Sequence, residues 1–100
     1  MNLAEQNQLA EKFFDECRKL LVSKGTDYTP EDIAFKDLDS IATKLNIKDV
    51  QVLYVYMRKH WTAIEHFIQH GNVKSEPVDS RLIDMANYCA LMYVLINRKS

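Results

Sequence analysis

Glycine and proline are nearly absent from this sequence, with two of each in 100 residues. A protein built of many short strands needs far more turn residues, so the scarcity argues against a β-sandwich or barrel and for long helices. Cysteine is equally scarce. Cys17 and Cys89 both fall on apolar helix faces and read as reduced, packed thiols of a cytoplasmic protein, not as a disulfide framework. An excess of one charge is missing too: 13 Lys and Arg stand against 14 Asp and Glu, a net charge of −1. Such a chain offers no basic field to a nucleic-acid backbone, which disfavours nucleic acid as a partner. The apolar stretch around "ALMYVLI" is far short of the roughly 20 residues of a membrane span. The N-terminal "MNLAEQNQLAEK" is polar and acidic, unlike a secretory leader. No membrane association is expected.

What is present is apolar residues, 47% of the chain, arranged at helical period. At this length one domain, residues 1–100, is the natural count, and about 60–65% of the unfolded surface would be buried. Four helices are predicted. The first runs from Leu3 to Lys24 with Ala10, Phe13, Phe14, Cys17, Leu20 and Leu21 on one face, the i, i+3, i+4, i+7 pattern. The second runs from Pro30 to Leu45, with Thr29–Pro30 as its start and Phe35, Leu38, Ile41, Ala42 and Leu45 inward. The third covers Val50 to His70 after Asp49 as N-cap, with Leu53, Met57, His60, Trp61, Ile64, Phe67 and Ile68 as its stripe and Gly71 as its C-cap. "VLYVY" within it has strand propensity, but the stripe persists for five turns and period outweighs propensity.

The fourth helix, from Pro77 to Asn97, is apolar on both sides. Two buried faces ask for more partners than a small bundle supplies, which points to a homo-oligomer built on this helix, with Leu91 as a contact. Inside it Asp84 and Asn87 lie one turn apart, with Tyr88 four residues after Asp84. Such oxygen donors suit a hard cation with phosphate oxygens and water. They equally suit a buried Lys or Arg paired with Asp84. In "SKGTDYT", Lys24 and Asp27 suit phosphate and metal, or a helix C-cap and an Asx-turn. In "YMRKHW", Lys59 suits a counter-ion of Asp84 or a phosphate ligand, or snorkels to solvent. His60 beside it reads as a hydrogen-bonded core histidine. His66 and His70, at i, i+4 near a helix end, read as surface residues, because no third ligand for tetrahedral zinc is near in sequence.

"KGTDYT", Lys59 in a long third helix, "SEP" and "RLIDMANYCALM" together resemble the nucleotide modification associated domain 1 family of phages and prophages. That family is similar to the MazG-like all-α NTP pyrophosphohydrolases. The resemblance runs from about residue 13 to 95 and rests on Lys24, Asp27, Tyr28, Lys59, Glu76, Asp84, Asn87 and Tyr88. It implies an all-α, four-helix MazG-like bundle that oligomerises through its C-terminal helix. It also implies a Mg²⁺-dependent nucleotide site in a protein of the host cytoplasm. Asp27, Glu76 and Asp84 would be metal ligands, while Lys24, Lys59, Tyr28, Asn87 and Tyr88 would meet the nucleotide. The chain departs from that pattern in two respects: Thr29 replaces the usual Gly, and the metal motif of the enzymes is missing. It has no Glu-x-x-Glu, and its only Glu-x-x-Asp is Glu76 to Asp79, astride Pro77. The expected activity is therefore nucleotide binding with pyrophosphohydrolysis unassigned. The alternative is a non-catalytic helical oligomer of phage origin that binds a host or phage protein.

Overall fold

The computed structural model describes residues 1–24, 34–72 and 77–98, with the side chain of Lys24 excepted. Among the described residues there are four helices and no strand: α1 Leu3–Lys24, α2 Lys36–Leu45, α3 Asp49–His70 and α4 Val78–Asn97. No helix among them is long and apolar enough to cross a membrane. The chain divides into two compact units, Met1–Asp32 and Ile33–Ser100.

The first unit contains α1. Its start is fixed by Asn2, whose side-chain Oδ1 accepts the backbone N–H of Glu5 at 2.9 Å, an N-cap bond that satisfies one of the orphan donors of the first turn. Phe13 and Phe14 stand edge to face with ring centroids 5.7 Å apart. Cys17 is buried, and burial pushes its thiol above the usual range.

The second unit is built on α3, which packs against both α2 and α4. Leu38 and Ala42 of α2, Val52 and Leu53 of α3 and Leu95 of α4 form its buried centre, with Phe35, Met57, Leu91 and Met92 packed around it. Leu53 is only 1% exposed; burying such a side chain contributes about 1.5–3 kcal/mol. The α2–α3 connection is short. Asn46 closes α2 in the left-handed region at φ 55°, and the backbone N–H of Lys48 donates to Gln51 Oε1 at 2.7 Å. That is half of a capping box, since lysine has no acceptor to complete it. Gly71 ends α3 with φ 77° and donates its N–H to the Phe67 carbonyl, as a C-terminal glycine is expected to do.

A three-way clamp ties the end of α4 to the starts of α2 and α3. Arg98 donates from Nη1 and Nη2 to the two oxygens of Asp39 at 3.1 and 2.7 Å, and from Nη2 to Asp49 at 3.0 Å. Its guanidinium also lies 5.5 Å from the Phe35 ring centroid. The bidentate geometry suits a planar guanidinium and a carboxylate, and it holds the Asp39 carboxyl below its ordinary range.

Several sequence expectations need correction. The described part of α2 begins at Lys36, because Phe35 takes φ 60° and stands outside the helix; its ring still reaches the core. The Thr29–Pro30 start and the Gly25 cap lie outside the described residues. The N-cap of α3 is Lys48, and Asp49 is the first helical residue. Trp61, Phe67 and Ile68 are 44%, 38% and 71% exposed, so the buried stripe of α3 is narrower than its apolar one. Cys89 is exposed, not packed. Leu91 faces the core, so it is not an outward contact.

Candidate functional site

Helix α4 opens with Asp79 in its first turn and then carries Arg81, Asp84 and Tyr88 at i, i+3 and i+7. These positions share one face of a helix, and the face is turned inward: Arg81 is buried, and Asp84, Asn87 and Tyr88 are half-buried. Opposite, α3 contributes His60 from its buried stripe. Arg81 Nη1 lies 3.1 Å from His60 Nδ1, and Asp84 Oδ2 lies 3.5 Å from the same nitrogen. The rings of His60 and Tyr88 sit 5.3 Å apart at a tilt of 41°.

One nitrogen cannot serve both neighbours. Nδ1 carries either a lone pair or a proton, and a guanidinium can only donate. The 3.1 Å contact is the shorter of the two, and as a hydrogen bond it has Arg81 donating to Nδ1 of the Nε2–H tautomer. Asp84 then meets the charge of the cluster without a hydrogen bond to Nδ1. Were His60 to gain a proton on Nδ1, the imidazolium would donate to Asp84 and Arg81 would have to turn away. The Tyr88 phenol is pushed up, first by burial and then by the charge of Asp84 and by Tyr56. It therefore remains a neutral hydroxyl, able to donate, throughout the neutral range.

The sequence-predicted residues separate into groups. Asp84, Asn87 and Tyr88 are brought to the α3-facing side of α4. Lys59 is exposed on α3, and the described contact of Asp84 across the helix pair is with its neighbour His60. Asp27, Tyr28, Glu76 and the side chain of Lys24 lie outside the described residues. Arg81 was not singled out by sequence reasoning. The available signal was its i, i+3 spacing to Asp84 on a helix otherwise lacking cations until Arg98. His66 and His70 stack with centroids 4.6 Å apart, and His66 Nε2 lies 3.3 Å from Asn72 Oδ1. No group of three or more His, Cys, Asp or Glu suited to a metal occurs among the described residues.

Along the same helix pair, Tyr54, Met57, Arg58 and Trp61 of α3 and Met85 and Met92 of α4 line an open cleft of about 470 Å³. Its size falls in the range of small-molecule sites, roughly 300–1,000 Å³. Its lining is apolar and polarisable, with two aromatic rings and one guanidinium.

The donor set on α4 can be weighed against Mg²⁺. A carboxylate and an amide oxygen are hard ligands, and Mg²⁺ can be held by one or two carboxylates when phosphates and water complete its shell. The buried cation Arg81 works against a bare divalent ion at this place, and phosphate charge would offset it. The residues therefore fit a metal that arrives with a phosphate ligand better than a metal bound alone. No known protein family, curated protein or solved structure matches the chain.

Proposed function

We propose that the chain is a nucleotide-binding helical protein of MazG-like type, with its ligand taken at the α3–α4 pair as a Mg²⁺ complex. The observation that carries this reading is the convergence of His60, Arg81, Asp84 and Tyr88 between two helices that otherwise pack through apolar residues. Cationic and neutral donors there are suited to phosphate, and Asp84 to the metal that phosphate brings. The neighbouring cleft, lined by Tyr54, Trp61 and three methionines, offers ring surface to a base, for which aromatic stacking is worth about 1–3 kcal/mol. The resemblance to phage nucleotide-modification domains adds Lys24, Tyr28 and Lys59 as phosphate and nucleotide contacts, and Asp27 and Glu76 as further metal ligands. Asn87 would orient a ligand or a water. With no Glu-x-x-Glu in the chain, the carboxylates are too few to align and activate a water as efficient pyrophosphohydrolysis demands. The reading is therefore binding with weak or absent turnover.

A second reading is favoured by a separate observation. Tyr93, Val94 and Ile96 of α4 are 70%, 47% and 67% exposed, an apolar outer face that suits a homo-oligomer or a protein partner, such as a host protein met by a phage factor. A thermal-shift screen of the common nucleotides with and without Mg²⁺ separates the two. A ligand that binds only the folded state raises the melting temperature. The nucleotide reading expects a rise that needs both nucleotide and Mg²⁺, with none from Mg²⁺ alone. No rise with any nucleotide would leave only the protein-contact reading.

A further inference from the structure

The three histidines of the chain divide between two places. His60 belongs to the cluster facing α4, while His66 and His70 stand one turn apart in the last turns of α3. Residues four apart on a helix are neighbours, with Cβ atoms about 5–6 Å apart. Here the rings themselves converge. His66 is half-buried and His70 exposed, and their centroids lie 4.6 Å apart with 44° between the ring planes. That distance can be compared with what a shared cation needs. An imidazole nitrogen stands about 2.0–2.1 Å from its metal, which puts the metal about 3.2 Å from the ring centroid. Two rings on one metal then have centroids about 4.5 Å apart when the ligands meet at a right angle, and about 5.2 Å apart at the tetrahedral angle. The observed 4.6 Å fits the right angle. The surroundings support the same pairing. Gly71 turns the chain with φ 77°, and His66 Nε2 lies 3.3 Å from Asn72 Oδ1. As a hydrogen bond this contact has Nε2–H donating to the amide oxygen, which orients the ring and leaves Nδ1 with the lone pair that a metal takes. The C-terminal end of a helix also carries a partial negative charge that favours a cation.

We propose that His66 and His70 form a two-point chelate for a divalent transition cation that favours imidazole ligands at right angles, of the Cu²⁺ or Ni²⁺ kind. Water fills the remaining positions. The site is therefore not the closed tetrahedron of structural zinc, and it is not a Mg²⁺ site, since Mg²⁺ takes oxygen ligands. A cation held this way ties two successive turns together at the end of α3. The proposal does not depend on nucleotide binding and is tested without nucleotide.

The test is calorimetric titration of Ni²⁺ into the full, untagged chain. One Ni²⁺ per chain is expected, with a higher melting temperature when it is bound, and excess Mg²⁺ should not displace it. His66→Gln and His70→Gln should each weaken binding by about tenfold or more, since even the loss of a partner that orients a ligand costs roughly 10–100-fold. Neither side chain belongs to the buried core, so the helical circular dichroism of both variants should match that of the parent. Cys89 is an exposed thiol that could capture the cation instead, and Cys89→Ser should leave the affinity unchanged. Absence of Ni²⁺ binding would overturn the proposal and reduce the two rings to a simple stack. So would a loss of less than tenfold in either histidine variant, displacement by Mg²⁺, or a loss of affinity in Cys89→Ser.

Discussion

Replacing Asp84 by Asn is the perturbation that best separates a ligand site from an internal ion pair. The change keeps the size of the side chain and one acceptor oxygen but removes the charge. The carboxylate is 17% exposed and its neighbour His60 12% exposed, so water still reaches both. The 3.5 Å contact to Nδ1 is not a hydrogen bond when Nδ1 accepts from Arg81. Loss of the Asp84 charge should therefore cost about 1–3 kcal/mol, the range for disturbing one partly buried polar group. It should fall short of the roughly 3–5 kcal/mol of breaking a fully buried ion pair. In a unit of this size, each kcal/mol lowers the melting temperature by about 4–8 °C. The assay is thermal and urea unfolding of both proteins, followed by titration with Mg²⁺ and nucleotide. The expected result is a folded variant, less stable within that range, that no longer gains stability from the nucleotide complex. An Asp84→Asn protein that unfolds outright and is rescued by Arg81→Met would refute this reasoning and make the cluster a structural ion pair.

Two further outcomes follow from the fold. Gly71→Ala should destabilise by about 1 kcal/mol through backbone strain alone, because Gly71 has φ 77° and an added Cβ would meet no atom within 4 Å; urea unfolding checks it, and an unchanged midpoint would contradict it. The Asp39–Arg98 contact should show in the pH dependence. Asp39 is held below its ordinary value, so its contribution is present above the unfolded carboxyl value of about 3.9 and fades as pH falls through the lower folded value. Arg98→Gln should therefore be less stable than the parent near neutrality and converge with it in acid. The difference should be small and salt-sensitive, because both groups are well exposed.

Much of the fold was legible because period and punctuation agreed. Leu3, Lys24, Leu45, His70 and Asn97 stand as helix limits in the sequence and in the structure, and Gly71 closes α3 where a C-terminal glycine was expected. The start of α2 was less legible, because nothing in the sequence marks Phe35 for a left-handed conformation that a bulky residue seldom adopts. The site was legible by half. Spacing placed Asp84, Asn87 and Tyr88 together, since i, i+3 and i+4 neighbours follow from helix geometry alone. Their partners come from another helix, and the angle at which α3 meets α4 decides between adjacent residues. Lys59 and His60 differ by one position and 100° around α3; His60 falls inside and Lys59 outside. Periodicity likewise named Trp61 and Ile68 as inward, though the apolar stripe of α3 is wider than the surface that α2 and α4 cover.

Isothermal titration calorimetry of Mg²⁺-nucleotide complexes into the full chain tests the nucleotide site most directly, paired with a pyrophosphate assay on the same mixtures. Measurable heat is expected for at least one nucleotide in the presence of Mg²⁺, none from Mg²⁺ alone, and little or no pyrophosphate release. No heat with any nucleotide would contradict the site, and rapid pyrophosphate release that disappears in Asp84→Asn would contradict the assignment of a binder without efficient turnover.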